Sequence, residues 1–178
     1  VDQEIKNLMT EPILKTENLK VIYGLGQAHE TRALDGVDIE IYPEEYVVLF
    51  GPSGSGKSTL LYSLLGIERA TSGKIYLRGK NVSLFEQNQL IEMRRSTMGI
   101  IFQAYHLISS LSVFENVVLP QIFKGKDQDS REKKAKSLLS RFGIEDQAHK
   151  TPTNLSGGQQ QRAAICRALM NDPEILMA

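Results

Sequence analysis

Residues 51–58 read Gly-Pro-Ser-Gly-Ser-Gly-Lys-Ser and match the pattern G-x-x-x-x-G-K-[ST]. Residues 46–50 before them are continuously apolar, which is typical of a strand buried on both faces of a parallel sheet. Residues 59–65 after them have helical spacing. A glycine loop between a buried strand and a helix is the context in which this pattern binds phosphate. The stretch therefore predicts an α/β fold built around a phosphate-binding loop.

Each part of this loop has a predicted role in holding a nucleotide. The glycines permit backbone angles that aim successive N–H groups at an anion, and the following helix adds the positive end of its dipole. Lys57, a candidate catalytic residue, is expected to reach the β- and γ-phosphates, and the Ser58 hydroxyl to bind Mg²⁺. The predicted contacts are Gly51, Pro52, Ser53, Gly54, Ser55, Gly56, Lys57, Ser58 and Thr59. The loop alone leaves kinases, GTPases, helicases and transport ATPases open.

The composition of the chain restricts its partners. Its 178 residues, 41% of them apolar, suit one globular domain. Because 21 basic residues balance 21 acidic ones, no net field attracts nucleic acid, and none is expected as a partner. No apolar run approaches the ~18 residues of a membrane span, and the single cysteine, Cys166, cannot form an internal disulfide. We therefore expect a cytoplasmic chain whose Cys166 thiol is packed and inert.

Several other segments predict strands. Residues 13–23 and 33–41 alternate β-favouring and polar residues around a glycine-containing break, which predicts two antiparallel strands. Residues 98–102 form another apolar run that predicts a buried strand, and residues 175–177 begin a last one. Gln103 follows directly after the strand predicted over residues 98–102, at a position where α/β folds place ligand contacts.

The spacing of polar residues predicts where the later helices begin. Ser112 and Glu115 have the separation of a capping box, and Asp129 and Glu132 repeat that separation. Two helices are therefore expected to begin at these positions. A further helix is expected over residues 157–170.

A second glycine turn lies far from the first. Residues 155–159 read Leu-Ser-Gly-Gly-Gln and, with the phosphate loop upstream and Gln103 between them, resemble the signature motif of ATP-binding-cassette (ABC) ATPases over nearly the whole chain. The resemblance implies a P-loop NTPase core with a parallel sheet, an N-terminal antiparallel β subdomain and an α-helical signature subdomain in a single ABC ATP-binding domain. The implied parts are a lead-in (1–11), the nucleotide-binding core with its β subdomain (12–103), the helical subdomain (104–155), and the signature helix with the start of a further strand (156–178).

The resemblance also implies how two copies share ATP. In the family, the signature turn of one subunit closes on the ATP that the phosphate loop of the other subunit holds. The residues implied in this contact in trans are Ser156, Gly157, Gly158 and Gln159. Tyr23 is where the family places an aromatic ring that stacks on adenine. Gln103 matches the glutamine that touches Mg²⁺ and the attacking water, so it is implied as a catalytic and metal-contacting residue.

Residues 94–103, then Glu115-Asn116-Val117 and Pro120, look like the branch that serves lipoprotein release and macrolide export. We therefore expect an ATP-binding subunit that uses ATP and Mg²⁺, forms a homodimer or pairs with another ATPase subunit, and drives a membrane permease from the cytoplasmic face.

A non-transport ABC ATPase of the DNA-repair or translation type is the alternative. Against it, the interval between Gln103 and Leu155 is too short for long coiled coils, and no second phosphate loop is present. An inactive module that only docks on a partner is a third reading.

The family places two acidic residues directly after the strand that matches residues 175–178. One is an aspartate that holds Mg²⁺ through water, and the other is a glutamate that orients the attacking water. The sequence stops before both positions. The resemblance therefore implies that residues 1–178 alone form a truncated cassette that binds nucleotide weakly and hydrolyses it negligibly.

Overall fold

The computed structural model describes residues 11–178, so all but the last residue of the expected lead-in lies outside the described residues. The described residues form two units, which divide between Leu90 and Ile91. The finer division into four parts that the sequence predicts stays a prediction.

An antiparallel sheet makes up much of the first unit. Its strands are β1 (Leu14–Tyr23), β2 (Thr31–Ile41), β3 (Ser72–Leu77) and β4 (Lys80–Asn81). They lie in the order β2-β1-β3-β4. The predicted pairing of the first two strands is confirmed, with Leu14 opposite Ile41 at one end and Tyr23 opposite Thr31 at the other.

An irregularity in β1 keeps its buried side chains on one face. Leu14 and Thr16 are buried, and so are Leu19 and Val21, although strict alternation would put the two pairs on opposite faces. The register shifts between Thr16 and Leu19, and Asn18 in that interval has φ 46°, as in a β-bulge. The bulge restores the phase of the strand, so that both pairs reach the core.

Residues 46–50 contradict the prediction of a buried strand. They have no regular secondary structure, and Tyr46 and Phe50 are 92% and 98% exposed. An apolar sequence favours burial, but a strand in a parallel sheet forms only where neighbouring strands supply backbone partners. Among residues 11–178, no strand pairs with this segment, so the predicted strand and its burial are wrong.

Helix α1 (Lys57–Leu64) follows the glycine loop, as predicted, and α2 (Gln87–Thr97) leads into β5 (Met98–Ile100). Strand β5 pairs in parallel with β6 (Ile175–Met177), which confirms both segments as strands. The strand predicted over residues 98–102 ends two residues early, before the turn that carries Gln103.

Helices surround the core of the second unit. They are α3 (Val113–Phe123), α4 (Gln128–Arg141) and α5 (Gly157–Leu169). Their buried side chains form one apolar cluster that includes Val117, Ala135, Leu139 and Cys166, and Met170 directly after α5 joins it. In the part of the chain from residue 11 onward, no helix has both the length and the hydrophobicity needed to cross a lipid bilayer.

The two predicted helix starts have different outcomes. Ser112 caps α3 in a full capping box: its hydroxyl accepts from the Glu115 N–H at 3.2 Å, and the Glu115 carboxylate accepts from the Ser112 N–H at 2.7 Å. The predicted start at Asp129 is wrong, because Asp127 caps α4 by accepting from the Ser130 N–H at 2.8 Å. The earlier start places Asp129 in the first turn, where its charge suits the helix dipole.

Candidate nucleotide-binding site

The glycines of the phosphate loop adopt backbone angles that other residues disfavour. Gly54 has φ 80° and Gly56 has φ 87°, both in the left-handed region. A Cβ at Gly56 would lie 2.4 Å from the Ala33 carbonyl oxygen and 3.1 Å from the Leu34 side chain. Gly56 is therefore required for two reasons, its backbone angle and its close packing against β2.

The helix that follows the loop begins without a side-chain cap. Gly56 at its N-cap offers no side chain, and the first helical bond runs from the Leu60 N–H to the Gly56 carbonyl at 2.8 Å. The earlier amides of Lys57, Ser58 and Thr59 have no carbonyl of their own helix to bind. Together with the helix dipole, these amides favour an anion. The loop therefore fits the phosphates of a nucleotide.

Lys57 bends back over the loop. Its Nζ donates to the carbonyl oxygens of Gly51 at 2.8 Å and Pro52 at 2.7 Å, and it donates to the Ser55 hydroxyl at 3.4 Å. The ammonium therefore lies against the backbone of the loop, where it can exchange carbonyl oxygens for phosphate oxygens. Ser58, the next residue, is exposed, and its hydroxyl is the kind of oxygen ligand that Mg²⁺ accepts.

Tyr23 ends β1, as predicted, and lies opposite Thr31. The residue is 43% exposed, which leaves part of the ring open to a planar base. Stacking needs no hydrogen bond to a particular base. Adenine stacking at Tyr23 stays a prediction.

The turn that carries Gln103 is exposed and strained. Tyr105 and His106 have φ of 59° and 48°, a left-handed conformation that costs a non-glycine residue about 1–2 kcal/mol. The rings of Phe102 and His106 stack with their centroids 4.7 Å apart and 12° between their planes. The loop that follows Gln103 therefore has a defined shape that something must stabilise.

Two helical side chains hold this loop. The Arg167 guanidinium on α5 donates to the carbonyl oxygens of Tyr105 and His106, each at 2.6 Å. On α3, the buried Asn116 side chain bonds both the N–H and the carbonyl of Ile108. Burial lowers the pKa of the Arg167 guanidinium.

Neither side chain has a function that the sequence predicts. Asn116 belongs only to the stretch that resembles the family branch, and Arg167 to no predicted motif. Each occupies an ordinary helical position, and no local motif marks it. The loop carbonyls that Arg167 binds lie 61 and 62 positions away in the sequence, so only a signal that links distant positions could have found it.

The second glycine turn is the N-terminus of α5. Ser156 is the N-cap, and its hydroxyl accepts from the Gln159 N–H at 3.4 Å, while the Gln159 side chain accepts from the Ser156 N–H at 2.9 Å. Gln159 therefore has a structural role in its own chain besides the predicted contact in trans. Arg162 orients the same turn, since its Nε donates to the Gly158 carbonyl at 3.4 Å.

Gly157 and Gly158 have no structural requirement for glycine within the described chain. Neither has a positive φ. A Cβ at Gly158 would meet nothing within 4 Å, and a Cβ at Gly157 would lie 3.5 Å from the Tyr105 hydroxyl, which is an ordinary contact. Glycine within a helix costs roughly 0.5–1 kcal/mol relative to alanine. The two glycines therefore leave the backbone of this turn exposed, at a cost in helix stability.

The structure brings the predicted residues together in two groups. In the first unit, Lys57 contacts the loop residues Gly51, Pro52 and Ser55. In the second unit, the loop after Gln103 lies beside the signature turn. A groove of about 520 Å³ opens along that loop. Its lining includes Ile91, Arg94, Arg95, Phe102, His106 and Phe123.

Cys166 lies in the core of the second unit. The residue is fully buried, and burial raises the pKa of its thiol to about 12. The thiol therefore stays protonated at neutral pH, in agreement with the packed and inert role predicted for it.

Comparisons with known proteins give the same family as the motifs. A family profile described as "ABC transporter" matches residues 34–178. The chain is 44% identical over 170 residues to a macrolide export ATP-binding/permease protein of Hyphomonas neptunium, covering 96% of this chain and 26% of that protein. It is 46% identical over 157 residues to an uncharacterized ABC transporter ATP-binding protein of Thermotoga maritima, covering 88% of this chain and 67% of that protein. The chain thus spans about a quarter of the macrolide export relative.

A solved structure has the same fold. It is a dimeric ATP-binding cassette in a post-hydrolysis state bound to ADP and Pi, with a TM-score of 0.85 and 38% identity over 92% of this chain and 72% of that one. These likenesses confirm the predicted fold class and the resemblance to the macrolide-export branch of ABC ATPases. They favour the transport class over the DNA-repair or translation alternative.

Proposed function

The chain belongs to the ABC transporter family, and we propose that it is the ATP-binding part of a transporter in which two cassettes close head to tail around ATP. The second cassette is another copy or a paired ATPase subunit. Hydrolysis of ATP to ADP and phosphate, with Mg²⁺ as cofactor, reopens the pair. This cycle drives a membrane permease for export, lipoprotein release or mechanotransmission. Binding to the permease holds the chain at the cytoplasmic face of the membrane.

The observation that carries this proposal is the exposed backbone at Gly157 and Gly158, where neither residue has a side chain to cover it. Glycine is destabilising in a helix, and neither residue needs it for its backbone angle or for packing within residues 11–178. A phosphate that approaches from a second subunit would need both the exposed amides and the absence of side chains. Ser156 at the N-cap supplies a hydroxyl at the same place, and Gln159 fixes the turn.

In the phosphate loop, each residue has a distinct proposed role. Gly51 to Gly56 and the first amides of α1 hold the phosphate oxygens. Lys57 leaves the carbonyls of Gly51 and Pro52 for the β- and γ-phosphates. Ser58 binds Mg²⁺, and Thr59 supports the α-phosphate. Bound MgATP supplies the transferable phosphoryl group and the cation that neutralises its charge.

Outside the loop, Tyr23 stacks on adenine. Gln103 contacts Mg²⁺ and positions the water that attacks the γ-phosphate. Its exposed turn directly after β5 supports that role, because ligands of α/β folds bind at the carboxyl ends of the strands.

The groove beside the Gln103 loop is the proposed docking surface for the permease. Its lining combines apolar side chains with arginines, which suits a short permease segment that carries apolar and acidic side chains. The groove is continuous with the stacked rings of Phe102 and His106. Movement of the permease segment would therefore reach the turn that carries Gln103.

Mixing two defective variants tests the head-to-tail arrangement. In the protein that carries this chain, Lys57→Ala removes the phosphate grip and Ser156→Arg blocks the signature turn, and each variant alone should lose ATP-dependent dimerisation. A mixture should recover it in part, because one of the two mixed sites joins an intact phosphate loop to an intact signature turn. Analytical ultracentrifugation with and without ATP measures this.

Arg131→Met on α4 is the control, since Arg131 lies outside every proposed contact, and it should dimerise as the parent does. If both variants are folded but their mixture does not recover ATP-dependent dimerisation, the shared site is contradicted. The expectation that residues 1–178 alone hydrolyse little ATP stays a prediction, which the steady-state turnover of that chain tests.

A further inference from the structure

Arg167 connects two parts of the second unit that the proposed function assigns to nucleotide. It lies on α5, the helix that begins at the signature turn. Its two guanidinium nitrogens donate to the consecutive carbonyls of Tyr105 and His106 at 2.6 Å each. Those residues follow Gln103 by two and three positions. One side chain of the signature helix therefore holds the backbone of the glutamine loop.

The geometry of this contact is demanding. Tyr105 and His106 both have left-handed backbone angles, which disfavour any residue other than glycine. Two charge-assisted bonds from one planar fork can stabilise such a conformation, because they require both carbonyls to face the same point. Lysine could not reproduce this, since its ammonium is a single point charge.

Further contacts link the same loop to the same helix. The Tyr105 hydroxyl lies 3.5 Å from the position of a Cβ at Gly157 in the signature turn. His106 stacks on Phe102, the residue directly before Gln103. The stacked residues Phe102 and His106 therefore flank the turn that carries Gln103, and the carbonyls of Tyr105 and His106 at its end are bonded to α5.

We propose that Arg167 is a positioning residue that fixes the Gln103 loop to the signature helix, so that the position of Gln103 follows that of α5. The consequence of this contact for catalysis rests on the proposed function. A movement of the signature helix as two cassettes close would then shift Gln103 with it. Arg167 itself touches no nucleotide in this arrangement.

Hydrogen exchange of the nucleotide-free protein tests the structural half of the proposal. Arg167→Lys and Arg167→Met should each raise exchange of the Tyr105 and His106 amides, which donate to the Phe102 and Ala104 carbonyls, by about tenfold or more, while α3 and α4 change by less than about twofold. Arg131→Met is the matched control, because it removes an arginine that donates to a single carbonyl, that of Lys126. Unchanged exchange in the loop of the folded lysine variant would overturn the proposal.

A double-mutant cycle tests the catalytic half. In the protein that carries this chain, Arg167→Lys should lower ATP turnover by about tenfold, and in a Gln103→Ala background by less than about twofold, because Arg167 acts through Gln103. The equilibrium affinity for ATP should stay within about threefold. An equal loss in both backgrounds would show a general structural role and overturn the proposal. Absence of ATPase activity from the protein that carries this chain would contradict the proposed function, and the exchange result would still decide whether Arg167 fixes the loop.

Discussion

The side chain of Asn116 and the backbone of Ile108 bond each other in both directions. The Ile108 N–H donates to Oδ1 at 2.7 Å, and Nδ2 donates to the Ile108 carbonyl at 3.0 Å. Nδ2 also lies within bonding distance of the carbonyls of Leu111 and Ser112. Since Asn116 is fully buried, this one amide closes the far end of the loop that Arg167 holds near Gln103.

Asn116→Asp should therefore destabilise the protein strongly. The substitution keeps the shape of the side chain but replaces the donor with an oxygen that faces several carbonyls, and a buried group left without its partner costs about 1–3 kcal/mol, more when it is charged. Urea unfolding monitored by circular dichroism measures the change. Asn154→Asp is the control, because Asn154 is exposed, and it should change the free energy of unfolding by less than about 0.5 kcal/mol. Equal effects of the two substitutions would contradict the role of Asn116.

Gly56→Ala should cost more than a positive φ alone explains. Besides its left-handed angle, the new methyl group would lie 2.4 Å from the Ala33 carbonyl oxygen, which belongs to a sheet strand. We expect a loss of more than about 3 kcal/mol or failure to fold. Thermal unfolding measures it.

Gly79→Ala provides the comparison for Gly56. Gly79 has φ 72° but open space around it, so its substitution should cost only about 1–2 kcal/mol. Similar losses at the two positions would show that the approach of Ala33 is unimportant.

Gly158→Ala should separate stability from function. A methyl group meets nothing there and favours the helix, so the free energy of unfolding of the monomer should stay equal or rise by up to about 1 kcal/mol. ATP-dependent dimerisation should nevertheless weaken, because the methyl group would obstruct the approach of the second subunit. Ser137→Ala, at an exposed position of α4, should give a similar gain in stability with unchanged dimerisation. An unimpaired Gly158→Ala dimer would remove the main support for the shared site.

Ionisation of Cys166 should lower the free energy of unfolding at alkaline pH. Burial raises the pKa of the folded thiol to about 12, whereas an unfolded cysteine titrates near ~8.5. The folded state therefore keeps a proton that the unfolded state releases, so the contribution of the thiol is intact below about pH 8.5 and declines as the pH rises toward about 12. Urea midpoints of the parent should fall more steeply between about pH 7 and about pH 10 than those of Cys166→Ala. Parallel curves would show that the thiol is not shielded in the folded state.

The sequence was sufficient wherever a feature depends on neighbours along the chain. The loop from Gly51 to Ser58, the turn at Ser156 and the cap at Ser112 are each defined by residues a few positions apart, and the structure places all of them at helix starts. The cap at Asp127 was missed although it is equally local, because Asp127 and Asp129 are both capping residues and the sequence does not rank them.

The tertiary structure decided the features that depend on residues far apart. The sequence by itself determined the family and the two glycine turns that begin α1 and α5, since such a turn depends on residues a few positions apart. It could not determine that residues 46–50 are exposed, because burial of a strand depends on partners elsewhere in the chain. Nor could it show that Gly56 packs against Ala33 or that Arg167 holds the carbonyls of Tyr105 and His106. Those contacts exist only once folding brings distant segments within hydrogen-bonding and van der Waals distance.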